Sequence, residues 1–318
     1  MPIYLKDLID QLPLDTEDQV KKAKVKHNDR IRASLRHETG LKLSRGESES
    51  GNASRTAIPI NFKAGVPAEL AHFTIPDEHR LAVLLSPYRI SLQQVSDSSR
   101  RISKDLVSTL SVHTRGFNLL NGRQRHLEPC WELAEDLLRE GDKYDLAKEV
   151  LAVEKDILGR YIYRKPNLFS EPDCSIELYW GIIGLISSQI GVDIEDLTVV
   201  ILAHELAHAY THMGLDIDER NWATESFGSS EIPVVEGLAQ HYTMLVTKRI
   251  STQAPNALET YRRLLQFQPS SYLVQIPWET AYSPEHMRLA LIRTRRYENG
   301  VTLREFEAEL KAAKGQLR

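Results

Sequence analysis

The feature that most constrains the fold is the string His-Glu-Leu-Ala-His at residues 204–208, which directly follows an apolar run at 197–203. A helix formed by such a run has no charged face, so it is expected to be buried on most sides. On that helix His204 and His208 lie four positions apart on one face, so both rings can reach a single metal ion. Because buried imidazoles without partners are costly, the pattern predicts a metal site, with zinc as the metal.

The acid between the two histidines has a separate predicted role. Glu205 points to the flank of the histidine face, where it lies too close to be a good third ligand. From that position a carboxylate can take a proton from a metal-bound water molecule. The sequence therefore predicts Glu205 as a general base.

A catalytic zinc ion usually has three protein ligands and an open position for water, so a third ligand is needed. The candidates downstream are His212, Asp216, Glu236 and His241. His212 continues the four-residue series, but it lies about 12 Å along the helix from His204 and is rotated further around the axis. The metzincin layout HExxHxxGxxH is excluded, since positions 211 and 214 hold Thr211 and Gly214.

We favour Glu236 as the third ligand. It follows Pro233 at the start of a run of helix formers, which predicts a second helix with Glu236 in its first turns. Val235, Leu238 and Tyr242 surround it at helical spacing, so its side chain faces the packed side of that helix. A buried carboxylate is costly unless it is paired or binds a metal. The alternative is a glutamate that only stabilises the helix dipole.

The two motifs together resemble a known group of enzymes. His-Glu-Leu-Ala-His followed by Glu-Gly-Leu-Ala-Gln at 236–240 is similar to the gluzincin class of zinc metallopeptidases, over about residues 174–245. The resemblance implies a zincin-like fold, Zn²⁺ bound by His204, His208 and Glu236, Glu205 as general base, and a peptide or protein substrate. The chain departs from the pattern at His241, where many such sequences place a tyrosine, so any role at that position stays open.

The pattern of elements predicts an α+β protein, a helix-rich zincin-like domain with a small sheet beside the zinc helix. Residues 1–60 are expected to form a polar, partly flexible N-terminal extension, with a charged helix at 21–36 and a linker at 44–55. The zincin-like domain is expected over 61–318, with its core at 157–250 and a helical part at 251–318. Helices are predicted there at 256–267, 284–297 and 302–313.

An alternating segment at 175–180 predicts a strand paired with 157–164. In zincins a strand of this kind forms the edge that pairs with extended substrate, so 175–180 is either that edge or an ordinary scaffold strand.

Composition narrows the partners. A net charge of −4 gives no reason to expect nucleic-acid binding. The sequence has no run of about eighteen apolar residues, so it predicts no membrane span. The amino terminus has no apolar signal region, and a cytoplasmic location is therefore expected. The oligomeric state is left open.

Peptide hydrolysis also needs a donor for the developing oxyanion, and carboxylates that orient the metal-binding histidines. The candidate donors are Tyr210, His212, His241, Tyr242, Tyr282 and His286, with His241 preferred. The candidate carboxylates are Asp216, Asp218, Glu219 and Glu225.

An alternative function is a zinc-containing binding or regulatory module that keeps the zincin scaffold without peptidase activity. Such a module would show a metal site with no accessible cleft. A third reading is a helical interaction protein in which the motif is coincidental.

Overall fold

Most of the described chain is helical, and several of its helices pack around the buried helix that carries His204 and His208. The computed structural model describes residues 3–43, 58–110, 130–153, 157–164 and 174–317. The helices are α1 (Leu5–Ile9), α2 (Thr16–Thr39), α3 (Arg80–Leu85), α4 (Arg89–Leu110), α5 (130–141), α6 (Leu146–Leu151), α7 (Trp180–Ile190), α8 (Ile194–Met213), α9 (Thr224–Ser229), α10 (Ile232–Arg249), α11 (Ala257–Leu265), α12 (Gln275–Ala281), α13 (Pro284–Thr294) and α14 (Leu303–Gln316). The strands are β1 (Ile3–Tyr4), β2 (Ile60–Lys63), β3 (Thr74–Ile75), β4 (Gly159–Tyr163) and β5 (Cys174–Tyr179). The protein is therefore α+β, as predicted.

A three-stranded mixed sheet of order β2-β5-β4 lies beside α8, and β1 pairs separately with β3. Strand β5 runs antiparallel to β4, with Tyr161 opposite Ile176, which confirms the predicted pairing. It also runs parallel to β2, with Ile60 opposite Ile176. Of the two alternatives for 175–180, the edge strand is excluded, because β5 lies between two partners. The edge strand beside α8 is β4.

Helix α8 forms the centre of the core. Its residues from Leu197 to His212 are buried, and α2, α10, α11 and β4 pack against it. A helix that is buried along most of its length needs such an enclosure, because any apolar face left in water would lose the free energy of burial. Glu195 and Asp196 lie in its first turn, where carboxylates interact favourably with the helix dipole.

The N-terminal segment departs from the expected polar extension. Helix α2 packs against both α8 and α10, and Val20, Ile31 and Leu35 on it have no exposed surface. These apolar residues recur at helical spacing among the basic ones, so they form a buried stripe along one face of α2. The mostly polar composition of residues 1–60 does not reveal this stripe. After α2, the backbone of Lys42 bonds to that of Leu215 just beyond α8. The linker predicted at 44–55 lies outside the described residues.

The three helices predicted toward the C-terminus correspond to α11, α13 and α14. The capping box predicted for the last of them is confirmed: Thr302 Oγ1 accepts from the Glu305 N–H at 3.3 Å, and Glu305 Oε2 accepts from the Thr302 N–H at 2.8 Å. The short helices α9 and α12 were not predicted. Among the described residues, no helix combines the length and the apolar character needed to cross a bilayer.

Helix α2 offers a matched test of its structural role. Val20 is fully buried and Val25 is 76% exposed on the same helix. We expect Val20→Ala to lower the free energy of unfolding by ~2 kcal/mol, because two buried methyl groups are lost. Val25→Ala should change it by less than ~0.5 kcal/mol. Urea unfolding of both variants measures this, and equal effects would show that α2 is not part of the core.

Candidate metal centre

The two histidines of the motif meet on one face of α8, as the spacing predicts. Their Nε2 atoms lie 3.2 Å apart, and their ring centroids are separated by 4.7 Å. Both side chains are buried, His204 at 7% and His208 at 3% exposure. The two nitrogens therefore point at one small volume that is largely shielded from bulk water.

Helix α10 brings Glu236 to the same volume. Its Oε2 atom lies 3.2 Å from His204 Nε2 and 3.5 Å from His208 Nε2, and the residue is 7% exposed. Among the described residues, these three form the group of potential ligands whose donor atoms are all within 4.8 Å of one another. The structure thus brings together all three residues that the sequence singled out.

The donor atoms fit a tetrahedral zinc ion. Zinc bonds of about 2.0–2.1 Å at tetrahedral angles place neighbouring ligand atoms roughly 3.3–3.4 Å apart. The three observed separations, 3.2, 3.2 and 3.5 Å, are close to that value. Burial alone would raise the pKa of Glu236, but the facing rings of His208 and His204 outweigh burial and hold that pKa well below its usual range. The carboxylate is therefore ionised and able to bind a cation.

Glu205 follows His204 on α8, lines the same cavity as His204 and is 1% exposed. Strand β4 covers it through Gly159: a Cβ atom at that position would lie 2.8 Å from Glu205 Oε1 and 2.9 Å from its Cγ. Any side chain at 159 would therefore displace the carboxylate. Sequence reasoning missed this contact, although a glycine inside a strand often marks the close approach of another group.

His212 takes no part in the cluster. Its Nδ1 bonds to the Tyr161 hydroxyl at 2.9 Å, its Nε2 bonds to Thr224 Oγ1 at 3.1 Å, and its ring stacks on Phe227. Burial, aided by Arg295 and His208, lowers the pKa of His212 to about 3. The ring is therefore neutral and joins β4 to the segment after α8.

The preferred oxyanion donor, His241, lies elsewhere. It is buried beside Glu279, with 3.9 Å between Nδ1 and Oε1, and neither ring nitrogen has a hydrogen-bond partner among the described residues. Burial lowers the pKa of His241 to about 4 and raises that of Glu279 to about 7.

Two aromatic rings lie beside the ligand candidates. The ring of Tyr161 is 6.3 Å from the His208 ring, and the ring of Tyr272 is 6.5 Å from the His204 ring. Sequence reasoning assigned neither of them to the site.

Two of the expected orienting carboxylates have other partners. Asp216 Oδ1 accepts from the backbone N–H groups of Asp218 and Arg220 at 2.9 and 3.0 Å, and Asp218 pairs with Arg296 at 2.6 Å. These acids therefore stabilise the turn that follows α8.

Two cavities flank the candidate centre. On the His204 side a small cavity of about 40 Å³ is lined by Gly159, Ile201 and Glu205. On the His208 side a larger cavity of about 190 Å³ reaches both His208 and Glu236. The candidate centre is thus accessible to a ligand from the His208 side.

The edge of β4 beside these cavities is open in the described sheet. The Tyr179 N–H donates to the Leu158 carbonyl at 3.1 Å, which makes these residues a hydrogen-bonded pair. Since such pairs alternate along an antiparallel ladder, the N–H and C=O groups of Gly159 and Tyr161 point away from β5. They can pair with an additional strand.

Comparisons of the chain with protein-family models, with curated proteins and with solved structures find no match.

Metal content tests the geometry of the cluster. We expect the purified protein to bind about one zinc ion per chain. The variants His208→Ala and Glu236→Ala should lose most of the zinc, because each removes one of the three ligands. His212→Gln, which changes a neighbouring buried histidine, should keep the metal. Elemental analysis after dialysis against zinc measures this. Zinc retained in His208→Ala and lost in His212→Gln would contradict the assignment.

The neutral state of His212 predicts an acid effect on stability. The pKa of His212 in the folded protein is below its ordinary value of 6.5. Its stabilising contribution to the free energy of unfolding is therefore present above pH 6.5 and is lost as the pH falls toward 3. The loss approaches ~1.4 kcal/mol per pH unit. We therefore expect metal-free wild type to lose more unfolding free energy than metal-free His212→Gln between about pH 6.5 and about pH 4.5. Equal losses in urea unfolding would refute the prediction.

Proposed function

We propose that this protein is a zinc-dependent peptide hydrolase with a zincin-like fold and the gluzincin arrangement of ligands. The observation that carries the proposal is the buried triangle of His204, His208 and Glu236, with Glu205 in the cavity that His204 also lines. Two nitrogen donors and one carboxylate oxygen at tetrahedral separations are typical of catalytic zinc.

When bound, zinc supplies a water of lowered pKa and polarises the substrate carbonyl. The protein's part in the reaction belongs mainly to Glu205. Its carboxylate takes the proton from the attacking water and passes it to the leaving amine as the peptide bond breaks. Glu205 is buried and packed closely against Gly159, which limits the movement of its carboxylate.

Substrate binding is assigned to the edge of β4. The outward N–H and C=O groups of Gly159 and Tyr161 can pair with an extended peptide by strand addition. The edge passes both Glu205 and His208, because Gly159 contacts the former and the Tyr161 ring lies near the latter. An extended peptide on this edge would carry its backbone past the metal.

The open cavity beside His208 favours the hydrolase over a zinc-containing regulatory module. A module without peptidase activity would have no need for a ligand-sized space that reaches two of the three metal ligands.

Glu205→Gln tests the proposal. We expect this variant to keep zinc and to lose turnover by at least ~100-fold, since an amide cannot accept the proton. The same change at Glu78, whose side chain is 78% exposed, should leave turnover unchanged. Cleavage of a peptide library by the zinc-loaded proteins, followed by mass spectrometry, measures both. Normal turnover by zinc-loaded Glu205→Gln would show that the general base is misassigned.

A further inference from the structure

The larger of the two cavities beside the candidate centre has aromatic walls. We call it the aromatic pocket; its lining side chains apart from the metal ligands are Tyr161, Tyr163, Phe227, Ser230, Ile232 and Val235. Phe227 packs edge-on against Tyr163 and Tyr161, at centroid distances of 5.3 and 6.4 Å. The rings form a preformed wall rather than a collapsible gap.

The chemistry of the aromatic pocket favours an apolar occupant. The one charged residue that lines it, within the described part of the chain, is Glu236, whose Oε2 already faces the two histidines. A charged side chain would lose hydration in this lining without gaining an ion-pair partner, because Glu236 is already engaged. Ile232 lies at the rim with 58% of its surface exposed, so an apolar ligand would bury it.

The width of the aromatic pocket depends on Gly228. A Cβ atom there would lie 2.9 Å from the Tyr163 hydroxyl and 3.3 Å from its ring. A side chain at 228 would therefore displace Tyr163, which lines the cavity. The volume of about 190 Å³ leaves room for a large side chain such as leucine or phenylalanine.

The direction of a bound peptide follows from two observations. Strand β4 runs from Gly159, beside Glu205, to Tyr163, in the wall of the aromatic pocket. A peptide that pairs antiparallel with β4, the more stable arrangement, passes the pocket first and Glu205 afterwards. Independently, Glu205 protonates the leaving amine, which belongs to the C-terminal part of the substrate. Both place the residue before the cleaved bond in the pocket.

We infer that the aromatic pocket selects substrates with a large apolar or aromatic residue immediately before the cleaved peptide bond. This inference rests on the proposed function, since it names the substrate class of the same site. The Tyr163–Phe227 wall, the absence of an available charge in the described lining and the course of β4 together carry it.

Cleavage of a matched peptide series tests the inference. The peptides share an alanine- and serine-rich host sequence with one central Phe, Leu, Lys or Asp. We expect cleavage after Phe or Leu, with kcat/KM at least ~10-fold above that of the Lys and Asp peptides. Cleavage before the Phe, or equal kcat/KM across the series, would overturn the inference and leave the hydrolase proposal standing.

A charge placed at the rim provides a sharper variant. Ile232→Lys should lower the ratio of Phe to Asp cleavage by at least ~5-fold, because the ammonium attracts the acidic side chain and the apolar contact is lost. The control is Ile217→Lys, the same change at a residue with 96% exposure that does not line the pocket. An unchanged ratio in zinc-loaded Ile232→Lys would count against the pocket.

A binding measurement separates this inference from the proposed function. The same peptides, carrying a fluorescent label, are titrated with zinc-loaded Glu205→Gln and followed by anisotropy. Tighter binding of the Phe peptide by at least ~10-fold, abolished by adding Ile232→Lys, would support the pocket even if the wild type cleaves nothing. In that case the hydrolase proposal alone fails. Binding without preference overturns the inference, and no binding together with no cleavage overturns both.

Discussion

The structure depends on the burial of two imidazoles and one carboxylate that face one another. With donor atoms 3.2–3.5 Å apart and almost no access to water, His204, His208 and Glu236 would be costly to keep without a cation among them. Their separations also leave little tolerance, because a shift of α10 by one residue would turn Glu236 out of the cluster. The rest of the core can be understood as the support that fixes α8 and α10 relative to each other.

That support comes from both ends of the chain. Helix α2 packs against α8 and α10 together, and α11 packs against the same two helices. The backbone bonds between Lys42 and Leu215 tie the segment after α2 to the segment after α8. Parts of the chain that are distant in sequence thus enclose a helix whose residues from Leu197 to His212 are buried. This explains why a segment rich in basic residues belongs to the core.

The sheet adds the chemistry that the helices cannot provide. Strand β4 covers Glu205 with Gly159, places Tyr161 beside His208 and leaves a row of backbone groups at its open edge in the described sheet. One strand therefore positions the proposed base, borders both cavities and offers the proposed substrate surface. His212, which sequence spacing presented as a possible ligand, is instead the partner that anchors Tyr161.

The sequence by itself determined the features that depend on neighbouring residues along the chain. The histidine pair with Glu205, the helix that carries Glu236, the β4–β5 pairing and the capping box at Thr302 all follow from spacing and local propensity. Only the tertiary structure decided which strand lies at the edge, that Gly159 and Tyr161 border the site, and that one face of α2 is buried. Those features are contacts between segments far apart in sequence, and a local pattern does not specify which distant surface a strand or helix will meet.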